Sequence, residues 1–286
     1  MKGVNRVKTK AKDFWHDFLV VLRRSDMVIL PGNIAFFLIL AIIPFIGLIT
    51  YGASMLNLST TYLYDFIAHS FSTDIADLVL GVNLSNSANF FITLVFGLYI
   101  ASNGADSIIT ASNTIYGVEH NSWMRRRWKA FWMTLLIVIL LIFMLIVPVF
   151  GNNIVSLVKE VNLNGNITSR IISIYDLLKG PISWFVIFII VRIIYKIAPD
   201  KKPKRRVINY GALFTTVMWI IVTRIYSEYV TNYASYTDLF GGVASIVVLM
   251  IWIYMLSYIF TVGIALNNQK DEEQLSKTDV IEVEEE

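Results

Sequence analysis

The stretch FFITLVFGLYIASNGADSIITASN, residues 90–113, poses the question on which the fold turns. Its first half is apolar, yet Asp106 stands in its second half between Asn103 and Asn113. Either this is a polar segment of a water-soluble domain, or a carboxylate lies inside a membrane. The surrounding chain decides. Of 286 residues, 56% are hydrophobic and only 16% are charged, with a mean hydropathy of +0.62. Soluble domains carry about 25% charged residues. The deficit, with several long apolar runs, identifies an integral membrane protein.

Six segments are long enough to cross a bilayer, which takes roughly 17–25 mostly apolar residues. They lie near 32–55, 90–113, 131–150, 182–199, 210–230 and 243–266. Apolar runs of this length lack the alternation of a membrane β-barrel. In lipid each segment must satisfy its own backbone, which leaves helices. The fold class is therefore an all-α integral membrane protein with six transmembrane helices.

Basic residues alternate along the connections. Arg23 and Arg24 precede the first crossing, Arg125, Arg126, Arg127 and Lys129 follow the second, and Lys201, Lys202, Lys204, Arg205 and Arg206 follow the fourth. The connections at 57–89 and before Gly241 have no lysine or arginine, and the first carries Asp65, Asp74 and Asp77. This pattern predicts both termini in the cytoplasm. The clusters RRRWK and KKPKRR also suit phosphate electrostatically, but orientation explains them without it.

The organisation expected is a basic amphipathic segment at 1–31, a membrane domain at 32–268 and an acidic, disordered tail at 269–286. In the first of these, Phe14, Trp15, Phe18, Leu19 and Leu22 share one helical face. That face suits either the membrane surface or the end of the bundle. Short helices are expected in the 57–89 connection, where His69 is read as incidental. The absence of cysteine excludes disulfides and thiolate metal sites.

Read as a helix, Tyr99, Asn103, Asp106, Thr110 and Asn113 step by four, three, four and three, so they share one face. Ser102 and Ser107 widen the polar sector, and Ala101, Gly104 and Ala105 keep much of the rest small. A carboxylate in hydrocarbon is costly and must face protein, a partner or water. The stripe is either helix–helix glue or the lining of a substrate or ion pathway. Arg192 in the fourth crossing is a possible charge partner, as is the arginine of the fifth. Pro44 should kink the first helix or free carbonyls there.

Several stretches together resemble the YihY/BrkB family, historically labelled ribonuclease BN-like: GNIAFFLILAIIPFIGLI, NTIYGV, YKIAPDKK, NYGALFTTVMWI, and YTDLFGG leading to IWIYMLSYIFTVGIALNN. The resemblance covers most of residues 10–268. It implies a six-helix protein of the bacterial cytoplasmic (inner) membrane with both termini inside. It also implies a nuclease label that is mistaken, and transport of lipids or related amphiphiles as a function. The family's first-helix signature has a tyrosine and a serine where this chain has Phe36 or Phe37 and Ala41.

The residues themselves argue against a nuclease, since no carboxylates or histidines sit at metal-ligand spacing in a soluble loop. No catalytic set, metal, cofactor or nucleic-acid partner is expected; the lipid bilayer, with bound lipid, is the expected partner. The P-loop pattern is absent. The expected function is a transporter or flippase-like protein for a lipid, amphiphile or small ion, using the Asp106 face. The alternatives are a non-transporting structural or regulatory membrane protein, and a membrane enzyme acting on lipid headgroups.

Overall fold

A computed structural model describes residues 18–55, scattered positions between 61 and 77, and residues 87–119, 122–139, 165–233 and 242–284; side chains are described for a subset of these. Six long helices organise them: α1 (Asp26–Met55), α2 (Ser87–Tyr116), α3 (123–139), α4 (Gly165–Ile197), α5 (Arg205–Tyr233) and α6 (Gly242–Glu284). No strand occurs among the described residues. The protein is an all-α membrane protein. Among the described residues, three helices contain apolar stretches long enough to cross a bilayer, Gly180–Ile197, Val207–Tyr229 and Ile246–Glu273, and α1 has a shorter one, Asp26–Ala41.

Contacts at the helix ends fix the up-and-down arrangement. Arg24, just before α1, donates to the Ile115 carbonyl at the end of α2 (3.2 Å). Lys129 in α3 donates to the Ala198 carbonyl just past α4 (2.6 Å). The Lys204 amide, just before α5, donates to Asp271 of α6 (3.3 Å). The starts of α1, α3 and α5 thus meet the ends of α2 and α4 and the Asp271 level of α6 at one end of the bundle. The basic clusters at 23–24, 125–129 and 201–206 lie there, and it is called the basic end below.

These contacts have a common cause. A helix ends with unsatisfied carbonyls and a partial negative charge, which a lysine or arginine complements, and begins with unsatisfied N–H groups, which a carboxylate complements. Helix α2 closes at Gly117, whose φ of 61° lies in the left-handed region. The Val118 amide then returns to the Asn113 carbonyl at 3.0 Å, a closure that favours glycine.

The core runs between α1, α2, α5 and α6, with α4 packed on α5. Small residues let α1 approach α2: Ala101, Ala105 and Ala111 are buried, and Gly104 faces Phe37 and Leu38. Ile108 and Ile109 are buried as well, so that surface of α2 faces protein. The closest crossing is α5 on α6. A Cβ on Gly211 would collide with the Gly263 carbonyl and stand 2.6 Å from Asn267 Oδ1, and one on Gly263 would collide with Thr215 and Tyr195. The Tyr195 hydroxyl pins three helices together through Thr215 Oγ1 (2.6 Å) and the Phe260 carbonyl (2.8 Å).

The helices outrun the segments expected from hydropathy. α4 starts at Gly165 and passes through Pro181, where a crossing from 182 is expected. Isoleucines and leucines three and four apart in ITSRIISIYDLLKG continue a helical period that a hydropathy reading scores as too polar. α6 runs through the acidic segment to Glu284, so its backbone is helical where disorder is expected. Glutamate, lysine and glutamine are good helix formers, and Lys270 pairs with Glu273 at 3.1 Å. α1 continues unbroken through Pro44.

Of the N-terminal amphipathic face, Phe18 and Leu22 pack on the bundle core while Leu19 is exposed. Val21 is buried and Phe18 packs on Phe214 of α5, ring centroids 5.9 Å apart. Phe14, Trp15 and His69 lie outside the described residues. In the first long connection, Thr61, Tyr64, Asp65, Ala68, Thr73, Ala76 and Asp77 are helical.

Candidate functional site: two polar assemblies along the second helix

The polar face of α2 meets charged groups along its length, in two assemblies of different character. The first is buried. Asn113 is fully enclosed, donates through Nδ2 to Asp200 Oδ2 (2.7 Å), and accepts the Asp200 amide on Oδ1 (2.8 Å). Lys129 completes the knot with an ion pair to Asp200 Oδ1 at 2.7 Å. One asparagine and one lysine thereby fix the turn between α4 and α5.

Beside this knot, Asp271 is also buried and pairs with Lys201 (3.4 Å), whose ammonium stands 5.9 Å from the centre of the Tyr116 ring. Burial, reinforced by the Asp271 carboxylate, pushes the Tyr116 phenol above its ordinary range and keeps it neutral. Asn267 Oδ1 accepts the Gly211 amide at 2.8 Å. The stretches NTIYG, YKIAPDKK, NYGALF and GIALNN, far apart in the chain, therefore converge at the basic end.

The second assembly is open. Asp106 pairs with Arg126 Nε at 2.8 Å, and both side chains keep about a quarter of their surface accessible, 22% and 27%. Arg127 Nη1 donates to Asn103 Oδ1 at 2.8 Å, and its guanidinium carbon lies 4.4 Å from the centre of the Tyr99 ring. Tyr99 is 59% exposed. Thr110 stands half-buried between the two assemblies. Ser102 and Ser107 turn back to the Tyr99 and Asn103 carbonyls of their own helix, so they do not widen the strip.

One expectation is corrected. The charge partner of Asp106 is Arg126; Arg192 instead donates from Nε to Asn209 Oδ1 at 2.7 Å on an exposed surface. The antiparallel turn from α2 into α3 brings the RRR cluster back along α2, whereas Arg192 belongs to a helix packed on α5. Asp106 lies 19 residues after Ser87, the first residue of α2, or about 28 Å along the helix at 1.5 Å per residue.

Arg126, Arg127, Lys129, Asp200, Asp271 and Asn267 are the functional candidates that the sequence did not single out as a site. The available signal was a four-residue basic cluster immediately after a helix bearing a carboxylate, which an antiparallel hairpin must fold back. No group of three metal-ligating side chains occurs among the described residues.

Comparison with known proteins places the chain in a family. The model of the family described as virulence factor BrkB matches residues 18–281. A ribonuclease-like protein of Bacillus subtilis (strain 168), YfkH, is 29% identical over 242 residues, covering 82% of this chain and 87% of that protein. A UPF0761 membrane protein of Glaesserella parasuis serovar 5 is 22% identical over 209 residues, covering 72% of this chain and 71% of its own. The UPF0761 membrane protein IL2447 of Idiomarina loihiensis is 28% identical over 98 residues, about a third of either chain. No solved structure matches the chain.

Proposed function

The chain belongs to the virulence factor BrkB family of multi-pass membrane proteins, and on that premise we propose that it moves a lipid or related amphiphile across the bacterial cytoplasmic membrane, with the basic end facing the cytoplasm. The observation that carries this reading is the openness of the second assembly. Glue between helices is normally enclosed; here a paired Asp106, a guanidinium and an exposed Tyr99 form a polar strip on an accessible surface of α2. A strip of that kind at the membrane boundary gives a polar headgroup somewhere to go other than hydrocarbon.

The roles follow from the contacts. Asp106 orients Arg126, and Asn103 and Tyr99 orient Arg127, so the charged groups are held at the edge of the strip before any substrate arrives. The Asn113–Asp200–Lys129 knot holds α2, α3 and the α4–α5 turn in fixed relation while the strip is used. The nuclease activity in the name of YfkH is not adopted: Asp106, Asp200 and Asp271 are engaged in ion pairs with arginine and lysine, and no group of three metal-ligating side chains occurs among the described residues.

The test is lipid exchange in proteoliposomes, read by dithionite bleaching of a headgroup-labelled fluorescent phospholipid. Wild-type protein should bleach the inner-leaflet pool that empty vesicles protect, and D106N should slow this by about tenfold, the loss of one charge-assisted contact. Wild-type vesicles indistinguishable from empty ones would remove the transport reading. A second reading, a non-transporting structural or regulatory protein, is favoured by the fully buried knot at Asn113, and it predicts that second result.

A further inference from the structure

We propose that Arg126 and Arg127 form a receptor for one phosphate group at the membrane boundary. This rests on the lipid reading for its biological role, but its test is equilibrium binding, so the two can fail separately.

The argument begins with donors. Each guanidinium carries five N–H groups. Arg126 holds Nε 2.8 Å from Asp106 Oδ1 in an ion pair, and Arg127 donates from Nη1 to Asn103 Oδ1 while its face lies on Tyr99. Neither terminal nitrogen of Arg126 has an acceptor among the described residues, and Arg127 Nη2 is shielded from solvent and equally without one. Two adjacent forks are therefore oriented by their neighbours and left with donors to give. Charge points the same way, since one carboxylate stands against two guanidiniums at the start of α3, where the helix dipole adds further positive potential. A phosphate supplies both the missing acceptors and the missing negative charge, in the planar, bidentate pattern that arginine matches and lysine does not.

The location narrows the source. Trp123, Trp128 and Trp132 of the same helix are all exposed, as tryptophans are at a membrane–water boundary. A phosphate presented at that level belongs to a phospholipid headgroup or to free phosphate in the adjoining water. Orientation of the protein in the membrane needs only the charge of the RRR cluster; it does not need guanidiniums held by Asp106, Asn103 and Tyr99.

The experiment is native mass spectrometry of the detergent-released full chain, titrated with phosphatidylglycerol, with phosphatidylcholine of the same acyl chains, and with inorganic phosphate. Phosphatidylglycerol or inorganic phosphate should bind, and R127Q and R127K should each weaken that ligand by about tenfold. K202Q, which removes an exposed charge at the same end, should leave it within about twofold. Preference for phosphatidylglycerol over both others assigns the site to a headgroup; displacement of that lipid by millimolar phosphate, or binding of phosphate alone, assigns it to the free anion. R127K keeps the charge and so separates fork from field. Wild-type affinity in R127K, an equal loss in K202Q, or no binding of either ligand overturns the proposal. Lipid exchange without this binding would leave the transport reading standing alone.

Discussion

Asp106 and Asp200 are both paired carboxylates on the polar side of α2, and their surroundings make them unequal. The Asp200 side chain is 8% exposed, and its carboxylate accepts from Asn113 Nδ2 and from Lys129. Removing its carboxylate leaves a mostly buried ammonium without its counter-charge and the Asn113 Nδ2 donor without its acceptor, so D200A should cost about 3–5 kcal/mol. Asp106 is open enough for water to screen its pair, so D106N should cost about 1 kcal/mol or less. Thermal unfolding in detergent compares them directly. Equal losses would mean that the open assembly is as structural as the buried one. The residues of the strip were legible from a step of three and four; their partners were not. Arg126 and Arg127 read first as topology signals, and Asp200 reaches Asn113 across 87 residues with no local pattern to announce it.

Between helices, the α5–α6 crossing shows how a single hydrogen atom sets a distance. G211A would place a methyl group against the Asn267 side chain and against the Gly263 carbonyl, a backbone atom that no rotamer change moves. The predicted loss is about 1–3 kcal/mol or more, as for overpacking elsewhere. G32A is the internal control: nothing lies within 4 Å of its added carbon, and alanine is the better helix former by about 1 kcal/mol. G32A should therefore be neutral or stabilising, and a G211A variant of unchanged stability would show that the helices can part. Helix existence was readable because a bilayer demands both length and apolarity. Helix ends were not, since α4 and α6 extend beyond hydropathy through helix propensity and neighbours that a window average does not see.

For the whole molecule, the alternation of basic and acidic connections agrees with the paired helix ends at the basic end, and together they predict which surface faces the cytoplasm. The chain contains no cysteine, so single cysteines report without background. A cysteine replacing Asp65 should react on intact cells with an impermeant maleimide, and one replacing Lys202 only after lysis. The reverse pattern would invert the molecule. The account as a whole stands on the polar strip of α2 being open to water or headgroups. The direct test is the reaction rate of single cysteines at 99, 103, 106, 108 and 109 in proteoliposomes with a small charged thiol reagent. The account predicts fast reaction at 99, 103 and 106 and silence at 108 and 109, a helical stripe of access. Uniform silence at 103, 106, 108 and 109 would contradict it and make the strip a dry seam between helices.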